Sequence, residues 1–137
     1  MVKSANIEVR GAFILGLPGE TPEMGRKTID FAIELDPDYA QFSIATPFPG
    51  TELWDTADQW GTLDKNFKDY HIFAPVFLTK GYKSAEELQG IQRLAFRRFY
   101  LRPGYILGRA AKMRNLRDIR RNMKGLRMVL GMSGFAN

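Results

Sequence analysis

Two stretches of this chain follow one pattern. "FILGLPGET", Phe13–Thr21, and "SIATPFPGTE", Ser43–Glu52, each run apolar residues into a proline–glycine turn that is followed by a threonine and an adjacent glutamate, in opposite orders. Apolar, β-branched residues favour a strand, and Pro-Gly favours a tight turn. Threonine followed by an acidic first turn favours a helix start. The repetition commits the chain to strand–turn–helix units, and so to an α/β fold.

The first strand is expected over Ile7 to Leu17, and its apolar second half reads as buried on both faces. Gly16 and Gly19 permit positive φ or close backbone approach, and Pro18 stiffens the turn. Thr21 reads as N-cap, Pro22 as the first helical residue and Glu23 as first-turn acid. The helix is expected to run to Leu35 with Met24, Thr28, Phe31, Ala32 and Leu35 on one face, and to stop at Pro37. A second strand follows from Tyr39 to Phe48, and such a unit joins parallel strands by a crossover. A short helix is then expected from Thr51 through Trp60. Two turns of the same chemistry suggest a (βα) barrel architecture.

Beyond Gly61 the pattern loosens. "HIFAPVFLT", His71–Thr79, reads as a strand or an extended lid, and Pro75 restricts it to an edge or to no pairing. Ser84 and Glu87 form a capping-box pair. The helix behind them carries Leu88, Ile91, Leu94, Ala95 and Phe99 on one side until Arg102–Gly104 breaks it. Ile106, Ala110, Met113, Leu116, Ile119, Met123 and Leu126 step along a last helical region.

Charge divides the chain. Residues 1–96 carry 9 Lys/Arg and 14 Asp/Glu, a net of −5. Residues 97–127 carry 11 Lys/Arg and the single acid Asp118, a net of +10. An acidic body precedes a basic tail. The tail is first a solvated helix face, second a binder of anionic membrane surface and third an RNA binder. No apolar run approaches the ~20 residues of a membrane span, so a cytoplasmic setting is expected, with peripheral membrane attachment as its variant. There is no cysteine, so no thiolate metal site or cysteine nucleophile exists in these 137 residues. Glu20, Glu23 and Glu52 stand near helix starts, where capping and dipole compensation explain them. A lone His71 beside aromatics reads first as a surface or satisfied core residue. Trp54 and Trp60 read as packing residues.

"FILGLPGET" followed by "ATPFPGTELW", Ala45–Trp54, resembles radical S-adenosylmethionine (radical SAM) enzymes in their C-terminal half. The likeness is to the branch with an N-terminal cobalamin-binding domain, which includes anaerobic magnesium-protoporphyrin monomethyl ester oxidative cyclases. "FRRFYLRPGYI", Phe96–Ile106, is similar to the segment after the barrel in that branch. The resemblance covers Val9 to Ile106. It implies the last βα units of a partial (βα)6 barrel over residues 1–80 and a helical, basic extension over 81–137. It also implies that backbone at the two turns holds S-adenosylmethionine. Gly16, Pro18, Gly19 and Glu20 would shape the first turn, and Thr46, Pro47, Pro49 and Gly50 the second. The family pattern Gly-x-Ile-x-Gly-x-x-Glu is met at Ile14 and Gly16. Ala12 replaces its first glycine, and Glu20 falls one place late. No residue here takes a catalytic or metal-binding role.

The enzyme carrying this chain is thus expected to use a [4Fe–4S] cluster and S-adenosylmethionine, with cobalamin a candidate third cofactor. The cluster would sit on a Cys-x3-Cys-x2-Cys loop outside these residues. The chain itself reads as an excised portion whose partners are the missing barrel half and the cobalamin domain. The alternative is a non-enzymatic interaction module built on the basic tail. A barrel cut before the Val9–Leu17 strand leaves an unpaired edge and an uncovered apolar face near Phe13 and Leu15. The chain is therefore expected to associate with itself. Cluster chemistry requires thiolate-held iron. The purified 137-residue chain should therefore retain no stoichiometric iron after reconstitution and release no 5′-deoxyadenosine from S-adenosylmethionine. Iron analysis and product chromatography check both, and either signal defeats the excised-portion reading.

Overall fold

The apolar run Ala12–Leu15 places Arg10–Leu15 in a strand, β1, of a computed structural model that describes residues 7–66, 70–71 and 73–111. A second strand, β2 (Tyr39–Ile44), runs parallel to β1, with Phe13 opposite Phe42 and Leu15 opposite Ile44. Helix α1 (Pro22–Leu35) connects them, giving the expected strand–helix–strand unit. Its ends follow the local chemistry. The Thr21 hydroxyl accepts the Met24 N–H at 3.4 Å, and Pro22 occupies the first turn. At the far end Asp36 turns left-handed, with φ 46°, and donates its N–H to Ile33 before Pro37 prevents continuation. Asp38 then ties the start of β2 to β1, accepting the Val9 N–H at 3.0 Å.

The sheet buries one face, not both. Phe13 stacks on Phe42 at 5.3 Å, and Leu15, Ala40, Phe42 and Ile44 are buried. On the opposite face Ala12 and Ile14 are exposed and lie level with Gln41 and Ser43, whose side chains bond to each other. The uncovered apolar surface of β1 is therefore the Ala12–Ile14 face, and the side of Phe13 and Leu15 is the covered one. The covered face of α1 also differs from expectation. Gly25, Ile29 and Ala32 are buried, whereas Met24, Phe31 and Leu35 are about half exposed. Packing chose the face with the smaller residues because Gly25 lies against the Tyr82 hydroxyl and Ile91.

Backbone polarity makes the two edges of this sheet unequal. The Tyr39 N–H bonds to Val9 and the Ala45 N–H to Leu15, so odd-numbered residues of both strands line the shared ladder. Even-numbered residues then face the outer edges. On the outer edge of β2 the buried Gln92 side chain donates to the Phe42 carbonyl at 2.8 Å. The outer edge of β1 presents the backbone of Arg10, Ala12 and Ile14.

Helix α2 (Glu52–Trp60) starts on Thr51, whose hydroxyl accepts the Trp54 N–H at 3.3 Å. It leads directly into β3 (Gly61–Leu63), which the sequence pattern did not reveal. The partner of β3 is β4 (Phe77–Thr79), antiparallel to it. Pro75 lies just before β4, outside the ladder, so among the described residues of "HIFAPVFLT" only the last three are strand. Ala45, Ala57 and Phe77 pack as a core with Leu53 and Leu63 against it. Helix α3 (Ala85–Tyr100) begins as the capping pair indicates, with one difference. The Ser84 hydroxyl accepts the Glu87 N–H, but the Glu87 carboxylate takes the N–H of Lys83 rather than that of Ser84.

The chain divides into two compact units, Met1–Gln92 and Arg93–Asn137. In the second, α4 (Pro103–Ala111) follows the expected break. Phe99, Tyr100 and Tyr105 form a ring cluster with centroids 5.0–5.4 Å apart, and the Arg102 guanidinium lies 4.5 Å from the Phe99 centroid. Most of the basic tail, from Lys112 on, lies outside the described residues. Among the described residues no helix is long and apolar enough to cross a membrane.

Gln92→Leu should remove the bond to the buried Phe42 carbonyl while keeping side-chain bulk. A loss of about 1–3 kcal/mol in urea unfolding of the chain is expected. An unchanged midpoint would mean that water replaces the amide at that edge.

Candidate functional site

Both proline–glycine turns leave the same end of the parallel pair, because β1 and β2 run side by side and each turn follows its strand. Both are type II turns in form. In the first, the Glu20 N–H bonds to the Leu17 carbonyl at 2.9 Å, with Pro18 second and Gly19 third at φ 75°. In the second, the Thr51 N–H bonds to the Phe48 carbonyl at 3.1 Å, with Pro49 second and Gly50 third at φ 83°. That third position requires positive φ, and glycine adopts it without the Cβ penalty. A side chain at Gly19 or Gly50 would meet nothing within 4 Å, so both tips face open space. Each turn also exposes an apolar side chain at its first position, Leu17 and Phe48.

Glu20 is buried, and its carboxylate is built into the fold. One oxygen, Oε1, accepts the Gly16 N–H at 2.8 Å and the Tyr82 hydroxyl at 2.7 Å. Burial, then this hydrogen bond, pushes the Tyr82 phenol well above its ordinary range, so it stays protonated and donating. The Gly19 N–H is also taken, by the Thr79 hydroxyl at 3.1 Å. Thr79 in turn donates toward the Trp60 carbonyl at 3.4 Å. Pro18 has no N–H. The first turn therefore has its Gly16, Gly19 and Glu20 donors occupied and is no anion cradle of the kind glycine-rich phosphate loops provide.

The remaining residues of the expected site are placed differently. Gly16, at φ 77°, is buried, and a Cβ there would lie 2.9 Å from Leu88. It shapes the turn from beneath rather than at its surface. Pro47 is fully buried, and the Thr46 hydroxyl donates back to the Ile44 carbonyl at 3.1 Å. Pro49 and Gly50 are exposed. Beside the second turn Phe48 meets Tyr70 edge-on at 5.9 Å, and Trp54 lies 6.2 Å from the same ring. Glu23 behaves as a helix-start acid. Its own backbone N–H, then the Thr21 hydroxyl, hold its carboxyl below the usual range. Glu52 stands in the first turn of α2. His71 is exposed and accepts the Phe73 N–H at 3.3 Å, and Trp60 is exposed. Among the described residues no group of three His, Cys, Asp or Glu is placed to hold a metal ion.

The sequence reading missed Thr79, Gly81 and Tyr82. Their signal was weak, a glycine between polar residues before a helix cap in "TKGYKS". Their partners lie about sixty positions away, at Gly19 and Glu20.

Over 106 residues the chain is 42% identical to an uncharacterized methyltransferase of Pyrococcus horikoshii, covering 77% of this chain and 23% of that protein. It is 32% identical over 103 residues to the anaerobic magnesium-protoporphyrin IX monomethyl ester cyclase of Cereibacter sphaeroides, covering 74% of this chain and 16% of that protein. The corresponding cyclase of Rubrivivax gelatinosus is 26% identical over 107 residues, 19% of its length. The chain thus spans less than a quarter of each of these relatives. No protein-family model matches it.

The two glycines should respond differently to a methyl group. Gly16→Ala adds an overlap with Leu88 to the cost of positive φ, whereas Gly50→Ala incurs the φ cost alone. Gly16→Ala should unfold the chain at lower urea than Gly50→Ala, by at least about 1 kcal/mol. Equal losses would show that Leu88 yields freely.

Proposed function

We propose that these residues form the last βα units of a radical SAM enzyme and line its S-adenosylmethionine and substrate site. The observation that carries this reading is the pair of type II proline–glycine turns at one end of two adjacent parallel strands. Ligands of parallel α/β sheets bind outside the carboxyl ends of the strands. In this reading the two strands belong to a partial barrel, and the exposed face of Ala12, Gln41, Ile14 and Ser43 is its interior. The relatives support it, since one is described as a methyltransferase and two as porphyrin cyclases.

The ligand class follows from the rim. The first turn offers carbonyls and Leu17, with its main donors occupied, and the second offers Gly50 beside Phe48. Such a rim suits a ligand that brings its own donors and positive charge. S-Adenosylmethionine has an adenine amine, an ammonium and a sulfonium, whereas a phosphate ester needs N–H donors, and those of Gly16, Gly19 and Glu20 are occupied. Pro49, Gly50 and Phe48 would contact it, and Gly16, Pro47 and Glu20 would hold the contacting backbone in place. The [4Fe–4S] cluster does not fit this chain, which has no cysteine, and would be held by other residues of the same enzyme. When bound, S-adenosylmethionine supplies the 5′-deoxyadenosyl group. These residues bind and orient it.

Gly50 provides the test. In an enzyme containing this segment, Gly50→Val should raise the S-adenosylmethionine Kd about tenfold, equivalent to ~1.4 kcal/mol, while cluster absorbance and circular dichroism stay unchanged. Titration calorimetry reads the Kd. A variant that keeps cluster and fold and binds S-adenosylmethionine normally removes the second turn from the site.

A further inference from the structure

The Thr79–Tyr82 segment crosses the first proline–glycine turn and touches it at three successive points. The Thr79 hydroxyl takes the Gly19 N–H at 3.1 Å. Gly81 lies so close to the Glu20 carbonyl that a Cβ would overlap it. The Tyr82 hydroxyl donates to Glu20 Oε1 at 2.7 Å, and the same oxygen holds the Gly16 N–H. The segment is itself a closed turn, with the Tyr82 N–H on the Thr79 carbonyl at 3.1 Å. It is anchored from behind by the Lys80 N–H on the Trp60 carbonyl at 2.8 Å.

We infer that this segment is a clasp that sets the geometry of the ligand-facing turn, with Thr79 and Tyr82 as positioning residues and Glu20 as the joint between them. The inference rests on the reading of that turn as part of an S-adenosylmethionine site. It moves Glu20 from contacting the ligand to acting through the backbone of Gly16. A turn whose tip faces open space has no packing to hold its carbonyls in one direction. Here the N–H groups of Gly16 and Gly19, on either side of the Leu17–Pro18 pair, are fixed from below, which restricts the carbonyls of the peptides between them. Preorganisation of this kind raises affinity without adding a ligand contact.

The first readout needs no ligand. In the 137-residue chain, amide hydrogen exchange by NMR should quicken roughly tenfold at Gly19 in Thr79→Val and at Gly16 in Glu20→Gln and Tyr82→Phe. Amides in the middle of α3 should be unaffected. Thr79→Ser, which keeps the hydroxyl, should restore Gly19 protection. The second readout is S-adenosylmethionine affinity in an enzyme containing the segment. Thr79→Val and Tyr82→Phe should each weaken binding several-fold, and Thr79→Ser should restore it. Unchanged exchange at Gly16 and Gly19 overturns the clasp. Faster exchange with unaltered affinity overturns its positioning role. Absence of S-adenosylmethionine binding by the unmodified enzyme overturns the reading of the site and leaves the exchange result standing.

Discussion

A single carboxylate oxygen connects the parts of the first unit. Glu20 Oε1 accepts from the backbone that closes β1 and from a phenol that precedes α3. Without it, a buried N–H and a buried hydroxyl would both lose their partner, each a penalty of about 1–3 kcal/mol. The rest of the arrangement follows from this joint. Tyr82 is held over Gly25, which brings α1 onto the sheet with its small-residue face inward. Gly16 is held beneath Leu88, which fixes the start of α3 against the end of β1.

The elements whose chemistry is local were legible in the sequence. Thr21, Pro22 and Pro37 bracketed α1, Thr51 started α2, and Pro103 divided α3 from α4, because caps and prolines act on their own neighbours. What the sequence withheld depends on distant partners. The apolar residues of α1 form two competing stripes, and tertiary contacts, among them those of Gly25 with Tyr82 and Ile91, turn Gly25, Ile29 and Ala32 inward. β3 has three residues and no pattern of its own, and it exists because β4 returns beside it. The turns of the site were legible for the same local reason. The occupancy of their N–H groups was not, because the acceptors on Thr79 and Glu20 are assigned by tertiary contact.

The two turns are alike in backbone and unlike in support. The first is held from below by three side chains, Glu20, Thr79 and Tyr82. The second is held by Thr51 through its neighbours in sequence, with its hydroxyl on the Phe48 carbonyl at 2.7 Å. One turn is thus tied by tertiary contacts and the other by local ones, with aromatic rings beside it. In α/β folds the residues that discriminate among substrates lie on such loops, while the scaffold stays constant.

The amide of Gln92 on the outer edge of β2 bears on how copies of such a sheet meet. Edge-to-edge pairing propagates only when each molecule offers two open edges, one to join and one to be joined. Here one carbonyl of the second edge, that of Phe42, is already taken from within the chain. Pairing between two copies through their β1 edges would be isologous and would consume that edge on both. The side chain that completes a carbonyl's hydrogen bonding thereby also removes one acceptor that a ribbon of such sheets would need.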